Sequence, residues 1–304
     1  MSDDMITHVY FSGGGLKGLC YLGILRYMYM ENMTSKIRHT AGTSMGAYFA
    51  LILALQIPLE FLEEQLLLIV DNFNLVTSEN HLYIDQNNFA KLLTENGMLS
   101  LDFVMKPVIN YMQMKYGVDD MTFIDFVKRT GVNLYINTVN INSCCNYIFN
   151  VDTDPNVSVI DAVKASMSVP YLFVPVEING ELYADGIRDF TDIFKDVDEN
   201  LVFRILLFPT SAEQAEIYPK NHNFCFMTYF MRMFEIMMTK VLTKDEELNH
   251  KNVLAIYELP YEKFFKFKIT DEYIVIQLTK EDFDNLILQG FICMTRYMEK
   301  KGDI

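Results

Sequence analysis

The 304-residue sequence has no C-x-x-C pair, no Cys/His spacing of the metal-binding kind, and an odd number of cysteines, five. Cys144 and Cys145 are neighbours, too close for an ordinary bridge. These absences argue against a disulfide framework or a zinc module and predict free thiols in a reducing compartment, with no metal or cofactor. Basic residues are also scarce: 25 Lys and Arg stand against 40 Asp and Glu, for a net charge of −15. Nucleic acid, which needs cations at its phosphates, is therefore not the expected partner. Docking on anionic lipid by charge alone is disfavoured for the same reason. The acidic start, MSDDMITH, lacks a signal-peptide core, so an intracellular protein is expected. No apolar run is long enough to span a bilayer without interruption. The most apolar stretch, AYFALILALQIPLEFLEEQLLLIV, is broken by Gln56, Pro58 and the Glu63–Glu64 pair, which predicts buried helices on either side of Pro58. No repeat, low-complexity tract or Gly/Ser linker divides the chain.

What is present is enough apolar residue, 51% against 21% charged, to bury one large core. A strand at about Thr7 to Phe11 leads through three glycines into a helix from about Lys17 to Glu31. The pattern repeats with a strand through Ile37 to Ala41, a tight turn, and a helix through Leu55. Residues 59–130 read as mostly helical, interrupted at Pro107 and Gly117. VNLYINTVNI is β-branched and aromatic, with NYIFN as its hairpin partner. Ser158 has the character of a helix N-cap, with Asp161 three residues on and Pro170 beyond the end. Asn179-Gly180 between apolar runs is a hairpin signal. Strands at VFRILLF and EYIVIQL, a Met/Phe-rich helix at 224–242 and a final helix from Thr279 follow. Alternating strands and helices predict a three-layer α/β/α fold with a mostly parallel central sheet.

Three sites carry chemistry. Gly13, Gly15 and Gly18 match G-x-G-x-x-G between a strand and a helix, a turn that offers backbone N–H groups to a phosphate or an oxyanion. The second strand, however, ends in HTAGTS without the acid that would hold a ribose. A Walker loop is excluded because Lys17 is followed by Gly18 and Leu19. Gly42 to Gly46, GTSMG, is G-x-S-x-G between a strand and a helix. This nucleophile elbow projects the Ser44 hydroxyl above the sheet edge and turns the Met45 N–H toward the reaction centre. A Cβ at Gly42 or Gly46 would crowd the turn. Serine needs a base. Asp185-Gly186 ends an apolar strand on the rim where open α/β sheets bind ligands. The order Ser44, Asp185, then His222 or His250 would also suit a hydrolase triad. Against it, His39 lies about 16 Å back along its strand, His8 is at the far end of the sheet, and His81, His222 and His250 sit in polar stretches. Asp185 is the better candidate.

GGGLKG, GTSMG and DG in this order, supported by DAVKASMSVPYLF, resemble the patatin-like phospholipases over roughly residues 6–190. The resemblance implies a single domain over 1–304. Its catalytic core is 5–195, completed by 196–304. Residues 224–242, with Phe and Met at helical spacing, read as a Met-rich core helix or, alternatively, as a lid or membrane-contact helix. The resemblance implies an acyl-lipid substrate, peripheral membrane contact, Ser44 as nucleophile and Asp185 as base. The oxyanion hole would be built from amides around Gly13, Gly14 and Gly15, and Lys17 falls at the family's basic position. Ile187 departs from the usual DGG or DGA, and Thr191 and Ile193 replace the usual Asn and Pro. A binding fold without turnover and an acyltransferase are the alternatives.

Overall fold

The computed structural model describes residues 6–75, 86–186, 193–208, 250–257, 268–269, 274–275 and 279–302. The helix expected at 224–242 lies outside them, as do His81, His222, Ile187 and Thr191.

β1 (His8–Phe11) runs into a short 3-10 turn (Gly15–Leu19) and α1 (Cys20–Met30). β2 (His39–Thr43) runs directly into α2 (Met45–Leu55). The strand expected at Ile37 to Ala41 starts two residues later, because Ile37 closes a turn onto Thr34 and pairing with β1 begins at His8 and His39. That shift carries β2 up to the serine. α3 (Leu59–Leu75), α4 (Gln86–Glu95), α5 (Asp102–Tyr116) and α6 (Phe123–Thr130) supply the expected helical stretch. Gly117 and Gly131 end α5 and α6 in the left-handed conformation at φ 70°. Pro107 does not interrupt α5. It costs the helix one ladder bond, while Met105, Val108, Tyr111 and Met112 on the same helix stay buried. The helical stretch also contains a short strand, β3 (Gly97–Leu99), which the sequence reading did not anticipate.

β4 (Asn133–Asn140) and β5 (Cys145–Phe149) form the expected hairpin. α7 (Val159–Met167) is capped by Ser158, which accepts the Asp161 N–H. β6 (Tyr171–Phe173) pairs with β3, and β7 (Val176–Ile178) turns at Asn179-Gly180 into β8 (Glu181–Asp185). β9 (Val202–Leu207), β10 (Val253–Ile256), a small pair β11 (Lys268–Ile269) and β12 (Ile274–Val275), and α8 (Lys280–Lys301) follow. β10 was also missed from sequence. α8 starts with a capping box between Thr279 and Asp282.

The main sheet has the order β10-β9-β1-β2-β4-β8-β7, with β5 attached to β4. The five strands from β10 to β4 are mutually parallel. The main core lies on the helical face, where every residue of α2 is buried. A helix apolar all round belongs in such a position. Among the described residues no helix is long and apolar enough to cross a membrane. A smaller cluster on the opposite face joins Tyr10, Ala41, Val202 and Leu206 to Ile193 and Phe194.

One feature of β4 positions the site. At Ile136 and Asn137 it pairs with β2 on one edge and β5 on the other; at Thr138 to Asn140 β8 replaces β2 while β5 continues. β2 and β8 therefore occupy the same edge of β4 and meet end to end. Thr43 stands opposite Asn137, and Asp185 stands opposite the next residue, Thr138.

α8 and α1 pack so closely that glycine is required on each. A Cβ at Gly23 would lie 1.9 Å from the Ile287 carbonyl oxygen, and one at Gly290 would lie 1.8 Å from the Cys20 carbonyl oxygen.

Candidate active site

Ser44 lies between β2 and α2 with φ 56° and ψ −127°, a conformation that side chains other than glycine rarely adopt. Such a residue stores about 1–3 kcal/mol of strain and persists only where its surroundings hold it. Here the surroundings are close. A Cβ on Gly42 would sit 2.2 Å from the Gly46 carbonyl oxygen, and one on Gly46 would sit 2.2 Å from the Phe11 carbonyl oxygen. The elbow thus packs its backbone directly against the end of β1. Ser166, from α7, accepts the Ser44 N–H at 2.9 Å and donates its own hydroxyl hydrogen to the Asn137 carbonyl at 2.6 Å.

Asp185 ends β8, and its N–H donates to the Ser168 carbonyl at 3.0 Å. Its carboxyl is buried beside Ser44. Burial pushes its pKa up to about 7, against the smaller opposing effect of the Ser44 side chain. The ordinary value of about 3.9 does not apply because the group has little water around it.

The glycine loop reaches the same point. A Cβ on Gly13 would lie 3.4 Å from the Ser44 Cβ, and one on Gly18 would lie 2.3 Å from the Met45 Cγ. Gly14 closely abuts Leu207, and Gly15 takes φ 53°. Tyr21 of α1 holds the start of the loop by donating to the Ser12 carbonyl at 2.8 Å, and Ser12 Oγ accepts the Leu207 N–H at 2.8 Å. Lys17 is buried within the 3-10 turn, where a surface position would have been the plain expectation. Gly186 follows Asp185 so tightly that a Cβ would sit 2.5 Å from the Asn137 carbonyl oxygen.

The described histidines are elsewhere. His8 and His39 stack on each other, with ring centroids 4.1 Å apart, at the amino-terminal ends of β1 and β2. His250 pairs with Glu199 at 3.2 Å just before β10. Among the described residues no group of three His, Cys, Asp or Glu side chains could hold a metal ion. Asn137, whose side chain bonds Thr43 and Gly186 beside the two turns, and Ser166, which bonds the elbow, were missed from sequence. A polar residue in a strand or on a helix gives no local sign that it faces inward.

Two parallel strands, each leading through a tight turn into a helix, one turn glycine-rich and the other bearing a strained serine, make this an α/β fold of the serine-elbow class. The chain belongs to the patatin-like phospholipase family, whose model matches residues 9–194. It is 27% identical over 176 residues to a probable lipid hydrolase, 463L, of Invertebrate iridescent virus 6, covering 58% of this chain and 57% of that one. It is 29% identical over 181 residues to the triacylglycerol lipase ptl3 of Schizosaccharomyces pombe, covering 55% of this chain and 33% of the lipase. The chain thus spans little more than half of the first relative and a third of the second. The crystal structure of VipD from Legionella pneumophila shares the fold, with a TM-score of 0.56 at 15% identity over 97% of this chain and 67% of that one.

Proposed function

We propose that the chain hydrolyses carboxylic esters of acyl lipids, phospholipid or neutral glyceride, through an acyl-Ser44 intermediate with Asp185 as base. The observation that carries this reading is the meeting of β2 and β8 end to end on β4, which sets the strained Ser44 beside the buried Asp185 carboxyl, whose pKa is raised to about 7. A base titrating near the working pH combines a useful ionised fraction with real proton affinity. Asp185 accepts the hydroxyl proton as Ser44 Oγ bonds to the ester carbonyl carbon. The carbonyl electrons move onto oxygen, where amides around Gly13, Gly14 and Gly15, with the Met45 N–H, stabilise the charge. One such preorganised donor contributes roughly 3–4 kcal/mol. The tetrahedral intermediate collapses, the proton on Asp185 passes to the leaving alcohol, and acyl-Ser44 remains. Asp185 then takes a proton from water as the water attacks the acyl carbon, and returns it to Ser44 as the fatty acid leaves.

The reading is supported by the family, by the lipase names of its relatives, and by the absence of any described histidine from the elbow. Fluorophosphonate labelling of Ser44, with hydrolysis of a phospholipid and glyceride panel by wild type and Ser44→Ala, tests it. Labelling and turnover in wild type alone are expected. An unlabelled Ser44, or an active Ser44→Ala, overturns it; transfer of the acyl group to an alcohol in preference to water identifies an acyltransferase.

A further inference from the structure

β2 and β8 carry the two reacting groups at their ends, yet along the edge of β4 that they share each pairs with β4 and not with the other. The sheet ladder therefore leaves a seam between Thr43 and Asp185, and something else must fix the separation across it. Asn137, opposite Thr43 on β4, is almost wholly buried. Its side-chain amide donates one hydrogen to Thr43 Oγ1 at 3.1 Å and one to the Gly186 carbonyl at 3.0 Å. Thr43 immediately precedes Ser44, and Gly186 immediately follows Asp185.

We propose that Asn137 is a positioning residue that sets the distance between Ser44 and Asp185 by giving one amide hydrogen to each of their turns. The inference rests on the proposed roles of that pair. Asparagine suits the task because its NH2 group has two donors in one plane on a short stem. Aspartate has none, threonine one, and a β-branched apolar residue would serve the strand as well but neither turn. The clamp is itself anchored. Thr43 Oγ1 is also within 2.9 Å of the Tyr10 hydroxyl from β1, so β1, β2, β4 and the turn after β8 are tied through three side chains. The main chain of Asn137 adds a third link, since its carbonyl holds the Ser166 hydroxyl that binds the Ser44 N–H. Gly186 also packs on the clamp, since a Cβ there would lie 2.8 Å from Asn137 Nδ2 in addition to its closer approach to the Asn137 backbone.

The test compares full-length wild type, Asn137→Leu, Thr43→Val and Asp185→Asn. A soluble ester is the substrate, and folding is followed by circular dichroism. Asn137→Leu fills the same space but donates nothing. Its kcat is expected to fall about 10- to 100-fold with KM within about twofold, the scale of an ångström misplacement. Its kcat–pH profile should also shift to lower pH, as water reaches a loosened Asp185. Thr43→Val should show a smaller fall in the same direction and keep the question open to test if Asn137→Leu does not fold. A folded Asn137→Leu with wild-type kcat and an unmoved pH profile overturns the inference, as does a lower melting temperature with no kinetic change. An active Asp185→Asn would instead overturn the proposed base, and the inference with it.

Discussion

Ser166 and Ser44 are joined by one hydrogen bond, with the Ser166 hydroxyl accepting the backbone N–H of the strained elbow residue at 2.9 Å. Because the same hydroxyl donates to the Asn137 carbonyl, the helix α7 ties the elbow to β4. Removing it leaves a buried N–H and a buried carbonyl without that partner, at about 1–3 kcal/mol each. Ser166→Ala should unfold at lower urea concentration and lose at least tenfold in kcat. Unchanged unfolding and kcat together would show that the elbow's conformation is held by its glycine contacts alone.

The proposed base gives a pH dependence with a definite sign. Asp185 must be ionised to act, so kcat should rise with pH through about 7. Stability runs the other way. The folded carboxyl holds its proton to higher pH than the unfolded one, so its contribution is fully present below about pH 4 and lost as pH rises through about 7. Asp185→Asn, a neutral stand-in, should be more stable than wild type at pH 8, by up to about 4 kcal/mol, with the gap shrinking toward pH 4. Calorimetry at the two pH values checks this, and a wild type more stable than the variant at pH 8 would refute it.

The stacked pair at the opposite end of the sheet predicts acid lability. Burial, and then the charge of His39, lowers the His8 pKa to about 4. His39 is also lowered by burial, against the weaker pull of Asp152. Tyr135, Asn133, Thr7 and Phe194 complete the surroundings. Folded values below the unfolded 6.5 mean that this stability is complete above about pH 6.5 and is lost as pH falls toward 4. His8→Phe should flatten the decline in melting temperature between pH 6.5 and 4.5 and leave neutral esterase activity in place. A large loss of activity at pH 7.5 would count against a base on the far rim.

The helix crossing offers a packing test. Gly290→Ala directs a methyl group at the Cys20 carbonyl, and overpacking of this kind costs about 1–3 kcal/mol or more. A reduced urea midpoint is expected, and a wild-type midpoint would mean that α1 and α8 separate freely.

The parts of the molecule legible in sequence were those whose chemistry is local. Ser44 needs glycines at 42 and 46 because backbone approaches within van der Waals distance there, and that demand is written as a motif. Asp185 was recognisable by its place at a strand end before glycine. The mostly parallel sheet followed from the alternation of strands and helices, whereas the order of its strands was not read from it. Contacts across long sequence separations left no such trace. Asn137 looks like a solvent-facing polar residue in an alternating strand, and only register shows it between Thr43 and Gly186. Gly23 and Gly290 each look like a weak point within a helix until the two helices are seen to cross there. β10 is four residues long and gains its stability from pairing with β9, so its own pattern was too short to stand out. Pro107 was read as a break because its ring opposes a helix, but the buried residues flanking it outweigh one lost bond.

The close crossing of α1 and α8 also bears on synthesis. α1 begins directly after the glycine turn, and the surface that receives its Gly23 is made of residues translated some 260 positions later. A nascent chain can therefore display the whole 9–194 segment while its glycine turn still lacks the buttress behind it. If Ser44 has the role proposed for it, hydrolysis should then begin only once residues 280–301 are free to pack behind the turn.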